Sequence, residues 1–210
     1  KILGYNIFNP IEVATEYNAS MGVKKEARVD YALLDDEGKP RILIECKAYD
    51  DPLETDKCSQ LMMYFNAIKD AHIGILTNGR RWLFFTDIDA AHIMDKRPYM
   101  EIDLEKLNRS LIPALEKLTK NGFILTDILT DAERLKYKNE FKNEIARQFQ
   151  EPDEEFSRFF IQKVYQYKIM QSVKDKLIPI LKDSLNSFLS EEINKRLQNA
   201  LDAQKNRHTA

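Results

Sequence analysis

The chain has 210 residues, of which 43% are hydrophobic and 31% are charged, and its formal net charge is −2. This composition excludes an intrinsically disordered chain and supplies enough apolar residues for one sizeable core and a second, smaller unit. The first hundred residues carry 13 Lys and Arg against 16 Asp and Glu, so no general positive field favours tight, unassisted binding to nucleic acid.

The chain opens with a pattern typical of a helix end, in residues 1–6, with a cap near Gly4. We therefore expect a further segment upstream of this point. Residues 13–17 contain β-branched and aromatic side chains and are predicted to form a first strand, which carries Glu16.

A β-hairpin is the central predicted feature of the chain. Residues 29–34 and 42–48 alternate apolar and polar side chains, and they flank the turn sequence at residues 35–40. The turn is expected to centre on Glu37 and Gly38. In that case, two residues that face each other across the hairpin have position numbers that add up to 75.

This register brings two acidic residues together, because it sets Asp30 opposite Glu45, and Leu34 opposite Arg41. Directly opposed Cβ atoms are about 4.5–5.5 Å apart. Two carboxylates at that distance either share a proton or hold a cation, and oxygen ligands favour magnesium or manganese. On the alternative interpretation, both carboxylates lie on a solvated strand face and Lys47 neutralises them.

The two faces of the hairpin have different predicted roles, since side chains two positions apart share a face. The candidate site face carries Asp30, Ala32, Leu43, Glu45 and Lys47. The predicted core face carries Val29, Tyr31, Leu33, Ile42, Ile44 and Cys46. The two cysteines, Cys46 and Cys58, lack zinc-binding spacing, which indicates buried thiols in a cytosolic protein.

A helix and two more strands follow the hairpin. Residues 54–69 show helical spacing of apolar side chains, and Gln60 and Tyr64 are four positions apart, so they lie on one side of this helix. Residues 72–86 are predicted to form two strands joined by a tight Asn-Gly turn. These strands would complete a mixed sheet.

Several other residues in this region receive no site role. Trp82, Phe84 and Phe85 are interpreted as packing residues rather than base-stacking residues, because their neighbours are apolar. His72 and His92 show no spacing that indicates a pair of ligands.

The remainder of the chain has a helical period. The predicted helices cover residues 104–121, residues 131–150, a stretch around residues 156–164, and residues 171–204 with a break near residues 187–190. The last of them is expected to pack on the N-terminal core. The alternative is a dimerising arm, which predicts a homodimer through the C-terminal helices.

A pattern of acidic residues and a lysine spans the hairpin: an Asp, a spacer, and then Glu, any residue, Lys. It continues with a Gln and a Tyr in the next helix, followed by the strand pair. The residues that carry it are Asp30, Glu45, Cys46, Lys47, Gln60 and Tyr64. This pattern resembles the PD-(D/E)XK nuclease superfamily. About residues 1–90 resemble the N-terminal nuclease domain of type I restriction enzyme R subunits and of predicted type IV restriction endonucleases.

The resemblance implies an α/β (α+β) fold with a restriction-endonuclease-like mixed sheet flanked by helices. We expect a nuclease-like domain at residues 1–103 and an all-helical C-terminal region at residues 104–210.

The resemblance also implies metal-dependent hydrolysis of DNA phosphodiester bonds, in restriction of foreign DNA. Asp30, Glu45 and the main-chain carbonyl of Cys46 would hold Mg²⁺, with Mn²⁺ as a substitute. Lys47 would orient the attacking water or stabilise charge on the phosphate. Gln60 would position the groups of the site.

DNA contacts are assigned to Tyr64, Arg28 and Arg80. Tyr64 is interpreted with nearly equal support as a core residue, and Arg80 as part of a solvated loop tip. In the resembled family a helix upstream often carries a further acid. Glu16 is the candidate substitute here, and an exposed strand glutamate is the alternative interpretation.

A different class of function also fits the sequence: a non-catalytic nuclease-fold module that binds nucleic acid or a partner. The expected partners are DNA and further domains or subunits of a restriction system, because no Gly-x-x-x-x-Gly-Lys-Ser/Thr loop for ATP-driven translocation occurs. No apolar run approaches a membrane span and no signal peptide is visible, so we expect a cytoplasmic protein without a membrane partner.

Overall fold

A computed structural model of the chain describes residues 3–18, 28–54 and 58–208, with side chains as far as residue 202. The strands are β1 Val13–Asn18, β2 Arg28–Leu34, β3 Pro40–Cys46, β4 Ile73–Thr77, β5 Arg81–Phe85 and β6 Met100–Asp103. The helices are α1 Ser59–Ala67, α2 Ile112–Glu116, α3 Leu125–Gln150, α4 Glu154–Val164 and α5 Gln171–His208. The predicted helix end at residues 1–6 lies partly outside the described residues.

The six strands form one mixed sheet in the order β1-β2-β3-β4-β5-β6. β3 and β4 are parallel, and every other neighbouring pair is antiparallel. The parallel pair requires a crossover connection, which α1 provides. The predicted α+β fold with a mixed sheet is therefore confirmed, although β6 was not predicted.

The hairpin has the predicted register over its middle part only. Tyr31 pairs with Ile44, and the next two pairs follow the same sum of 75, but Leu34 pairs with Pro40 across a register shift instead of with Arg41. The turn explains the shift, because Asp35 Oδ1 accepts hydrogen bonds from the main-chain N–H groups of two turn residues.

The ladder between β2 and β3 ends before the predicted pair of acids. Asp30 does not pair with Glu45 through the main chain; its Oδ2 accepts a hydrogen bond from the N–H of Cys46 at 2.7 Å. Between β1 and β2, Glu16 and Asp30 are not paired with each other, although the residues on both sides of them are paired. Glu16 has a φ of 49°. A non-glycine residue in this left-handed region distorts a strand.

Because of this distortion, the side chains of β2 do not alternate strictly between the two faces of the sheet. Val29 and Ala32 both belong to the core cluster beneath α1, so the prediction that Val29 projects to the opposite face is wrong. The prediction that Cys46 is buried is also wrong, since its thiol is exposed, whereas Cys58 is buried.

The sheet holds a core on each face. One core packs α1 against β3, β4 and β5, and its fully buried side chains include Phe65. Gly74 of β4 permits the close approach of α1: a Cβ atom there would lie 3.2 Å from Phe65 Cδ2 and from Met94 Sδ. The other core includes Tyr5, Leu118 and the first turns of α3. The central strands β3 and β4 are therefore packed on both faces.

The helical predictions after residue 104 are correct in part. Residues 104–121 hold only a 3-10 turn, Arg109–Leu111, and the short α2. Helix α3 begins at Leu125, six residues before the predicted start at residue 131. The predicted break before α4 is confirmed, because the Asp153 side chain accepts a hydrogen bond from Phe156 N–H and caps that helix.

Helix α5 continues through residues 187–190, where a break was predicted. The hydroxyl of Ser190 donates to the carbonyl of Asn186 one turn earlier, so this serine satisfies its hydrogen bond within the helix. Pro179 is also accommodated inside α5. The predicted homodimer through these helices stays a prediction.

The chain divides into two compact units, residues 1–139 and residues 140–210. The sheet and both of its cores belong to the first unit. The sequence-based boundary at residues 103/104 stays a prediction about where the nuclease-like region ends. Among the described residues, no helix combines the length and the apolar character needed to cross a membrane.

Candidate active site

The site is built on the last residues of β3. Glu45 shares a strand face with Leu43, which packs beneath α1, so its side chain is directed into the layer between sheet and helix. Only 3% of Glu45 is exposed. Lys47 follows two positions later, and its Nζ lies 2.8 Å from Glu45 Oε1.

The second carboxylate oxygen of Glu45 is in an unusual position. Glu45 Oε2 is buried and has no hydrogen-bond partner among the described residues. Burial raises the pKa of the Glu45 carboxyl group, and the Lys47 ammonium opposes this rise. An unpaired carboxylate oxygen in a buried position is costly for the fold, and a cation bound there would offset the cost.

Asp30 approaches the same site from β2. The hydrogen bond that its Oδ2 accepts from Cys46 N–H orients the Asp30 carboxylate at the end of β3. The negative charges of Asp30 and Glu16 both contribute to the raised pKa of Glu45. The three carboxylates come from three adjacent strands, and only Glu45 is fully buried.

Helix α1 supplies the opposite wall of the site. Lys47 Nζ donates to Gln60 Oε1 at 3.4 Å, and Gln60 Nε2 donates to the Tyr64 hydroxyl at 3.1 Å. Gln60 is exposed, whereas Tyr64 is only 5% exposed and belongs to the core. Tyr64 therefore fits a residue that holds Gln60 in place better than one that offers its ring to DNA.

The turn after β4 positions the chain around Lys47, and sequence reasoning missed this role. Lys47 N–H donates to the carbonyl of Thr77 at 2.7 Å. The side-chain amide of Asn78 donates to the carbonyls of Tyr49 and Asp51, so it holds the loop that follows Lys47. The Asn-Gly pair was the only signal in the sequence, and it indicated a turn without indicating this contact.

The arginines predicted to contact DNA are not part of this network. Arg80 forms ion pairs with Asp103 and Glu105, both at 3.0 Å, so a phosphate would compete with two carboxylates for it. Arg28 is exposed at the start of β2.

The donor set suits a hard divalent cation. The unpaired Glu45 Oε2 and the carboxylate of Asp30 are oxygen donors, and the carbonyl of Cys46 directly follows Glu45 at the end of β3. Mg²⁺ and Mn²⁺ prefer such all-oxygen surroundings. The residues present thus fit the metal that the sequence pattern implies.

Comparison with known proteins identifies a similar family. Residues 5–102 match the model of the family described as the type I restriction enzyme R protein N terminus. No curated protein and no solved structure matches the chain significantly. The match covers β1 to β5 and most of β6, and it includes every residue of the candidate site.

Proposed function

We propose, from the match of residues 5–102 to the nuclease-like N terminus of the type I restriction enzyme R protein, that this chain is a Mg²⁺-dependent endonuclease that hydrolyses DNA phosphodiester bonds in a restriction system. The observation that carries the proposal is the buried Oε2 of Glu45, which has no hydrogen-bond partner in the part of the chain that the structure describes, beside the ammonium of Lys47.

The metal site would consist of Glu45, Asp30 and the carbonyl of Cys46, with Glu16 as a further acid nearby. A divalent ion held there supplies Lewis-acid chemistry, in that it lowers the pKa of a bound water and neutralises charge on a phosphate oxygen. The hydrogen bond from Cys46 N–H leaves Asp30 Oδ1 available to such an ion.

Lys47 is placed to act on the water or on the phosphate. Its side chain is 20% exposed, so the ammonium reaches the solvent side of the site while it remains 2.8 Å from Glu45 Oε1. The contact with Gln60 limits the rotation of the Lys47 side chain, and the Tyr64 hydroxyl in turn holds Gln60. This chain of contacts fixes a positive charge where negative charge develops on the phosphate.

DNA binding by this chain is expected to depend on the metal and on partners. The net charge of −2 provides little attraction for a polyanion, and the carboxylates of the site repel phosphate until a cation is bound. The family is that of a type I enzyme R protein. We therefore propose that other domains or subunits of a restriction system supply most of the DNA affinity.

The test is cleavage of supercoiled and linear DNA in Mg²⁺, Mn²⁺ or EDTA, with Lys47→Ala as the variant. Lys39→Ala is the matched control, because Lys39 Nζ also lies 2.8 Å from a glutamate two positions away, Glu37, but in an exposed turn. We expect metal-dependent cleavage that falls about 100- to 1000-fold in Lys47→Ala, the usual cost of losing one charge-stabilising donor. Lys39→Ala should cleave like the wild type.

Other outcomes would change the proposal. Equal cleavage by both variants would show that Lys47 is not in the active site. Absence of cleavage, together with absence of calorimetric Mn²⁺ binding that depends on Asp30, would favour the non-catalytic module. Mn²⁺ binding without cleavage would show that this chain alone is inactive and that partner domains complete the enzyme.

A further inference from the structure

Two of the three histidines of the chain meet an aspartate at the far end of the sheet from Glu45. His72 directly precedes β4, Asp87 follows β5, and His92 lies in the next loop. Because β4 and β5 are antiparallel, the start of one strand adjoins the end of the other. We propose that His72, Asp87 and His92 form a site for one divalent transition-metal ion of the Zn²⁺ class.

The distances suit a common ion. One donor atom from each of the three residues lies within 4.8 Å of the other two, and His72 Nδ1 is 2.9 Å from Asp87 Oδ2. Two donors that are each about 2.1 Å from one ion lie about 3.0–3.4 Å apart for angles between octahedral and tetrahedral. The first pair, now at the separation of a hydrogen bond, is close to the lower limit, and the exposed His92 side chain offers the third donor.

The site is held in place before any ion binds. The side chain of Asp87 is 4% exposed and that of His72 is 20% exposed. Asp87 Oδ2 also accepts a hydrogen bond from His92 N–H at 2.9 Å, which fixes the backbone of His92 at a φ of 62°. A non-glycine residue in this left-handed region is uncommon and is often maintained where it has a function.

The loop that carries His92 is also anchored at its end. Asp95 Oδ2 accepts a hydrogen bond from the Thr86 hydroxyl, and Asp95 Oδ1 accepts one from Asp89 N–H. The buried ammonium of Lys136 lies 2.6 Å from Asp89 and 3.5 Å from Asp95. Binding therefore requires little ordering of the chain, and the exposed ring of His92 gives an ion access from solvent.

This site is separate from the proposed nuclease site. Glu45 pairs with Leu76, four residues after His72, which corresponds to roughly 13 Å along the strand at about 3.3 Å per residue. The chemistry also differs, since two imidazoles and one carboxylate favour Zn²⁺, Co²⁺ or Ni²⁺, whereas Mg²⁺ prefers oxygen alone. An ion here would tie the loop of residues 86–95 to the start of β4.

The test is calorimetric titration of the full chain with Zn²⁺ in excess Mg²⁺, which occupies the proposed nuclease site, together with the visible absorption of Co²⁺ as a measure of imidazole ligation. The variants are His92→Asn and His92→Gly, because both residues tolerate a positive φ. The control is His208→Asn, which removes the remaining histidine of the chain.

We expect one Zn²⁺ ion to bind per chain. In both His92 variants the Zn²⁺ affinity should fall by more than ~10–100-fold, which is the loss that removal of an outer-shell partner causes. His208→Asn and Glu45→Gln should bind Zn²⁺ like the wild type, whether or not the chain cleaves DNA. The proposal is overturned if the wild type binds no Zn²⁺ in excess Mg²⁺. It is also overturned if both His92 variants keep the wild-type affinity for Zn²⁺ while their unfolding midpoints in EDTA equal that of the wild type.

Discussion

The β2–β3 hairpin contains the sequence Glu-x-Lys twice, once in its turn and once at the end of β3. In the turn, Lys39 Nζ lies 2.8 Å from Glu37 Oε2, and the two side chains are 48% and 71% exposed. At the end of β3, Lys47 Nζ lies 2.8 Å from Glu45 Oε1, and the side chains are 20% and 4% exposed. The residue types and the distance are the same, but the access of water differs.

This difference separates an ordinary surface ion pair from a candidate active site. Water solvates Glu37 and Lys39 whether or not they are paired, so their contact contributes little to stability. Burial removes most of this solvation from Glu45 and raises its pKa, and its Oε2 has no hydrogen-bond partner within residues 3–18, 28–54 and 58–208. A Glu-x-Lys sequence is therefore informative only once its surroundings are known.

The largest expected effect comes from removing the packing that buries the second pair. Phe65 of α1 is fully buried in the same core as Leu43 and Leu76, which lie on the strands that hold Glu45. Phe65→Ala should lower the free energy of unfolding by about 3–5 kcal/mol, measured by chemical denaturation. It should also weaken Mn²⁺ binding, because the wall behind Glu45 is lost.

The matched control is Met63→Ala in the same helix. Met63 is 50% exposed, so its truncation should change the free energy of unfolding by less than about 0.5 kcal/mol. Similar losses for Met63→Ala and Phe65→Ala would show that α1 does not pack on the sheet as described. In that case the burial of Glu45 would need another cause.

Much of the sheet could be predicted from local pattern. Alternation of apolar and polar residues located the hairpin and the β4–β5 pair, and turn chemistry gave the register of three hairpin pairs. The shift at Leu34 was missed because it depends on the Asp35 side chain binding the turn. The distortion at Glu16 and Asp30 was missed because one residue with a positive φ leaves no signal in the alternation of apolar and polar residues. β6 was missed because its four residues are too few for a period to emerge.

Of the two proposed sites, one could be found from the sequence and the other could not. Asp30, Glu45, Lys47 and Gln60 were found because their order along the chain resembles a nuclease pattern, and the structure brings them together. The His72, Asp87 and His92 cluster follows no pattern in sequence. Its members meet only because β4 and β5 pair antiparallel, so spacing along the chain could not reveal it.

The second prediction concerns the charge of Glu45 itself. In EDTA at neutral pH, Glu45→Gln should raise the free energy of unfolding by about 1 kcal/mol, the lower end of the cost of an unsatisfied buried polar group. Added Mg²⁺ should stabilise the wild type and leave Glu45→Gln unchanged, because binding to the folded state alone stabilises it. Glu37→Gln should behave as the wild type in both experiments.

The pH dependence has a definite sign. The pKa of Glu45 in the folded protein is raised above its ordinary value of 4.5. Below that ordinary value the carboxyl group is protonated in both the folded and the unfolded state, so it does not penalise folding. As the pH rises through the raised pKa, the folded state loses stability. The advantage of Glu45→Gln should therefore grow with pH in EDTA, and an advantage that is constant from pH 4 to pH 8 would contradict the burial of a charge.

The smallest expected effect distinguishes positioning from direct DNA contact at Tyr64. Tyr64→Phe keeps the buried ring and removes only the hydroxyl that accepts from Gln60 Nε2, so the free energy of unfolding should fall by about 0.5–1.5 kcal/mol. If Gln60 restrains Lys47, kcat for cleavage should fall several-fold while Mn²⁺ affinity and DNA affinity stay unchanged. Tyr167→Phe is the control, since Tyr167 is 78% exposed.

The free energy of unfolding, kcat and DNA affinity together separate the roles that Tyr64 can have. Loss of DNA affinity at unchanged kcat would identify it as a DNA contact, against its 5% exposure. Loss of stability alone would make it a core residue whose hydroxyl has no bearing on the site. Loss of kcat at unchanged Mn²⁺ and DNA affinity would show that Tyr64 positions the site, because its ring belongs to the core and its hydroxyl holds Gln60.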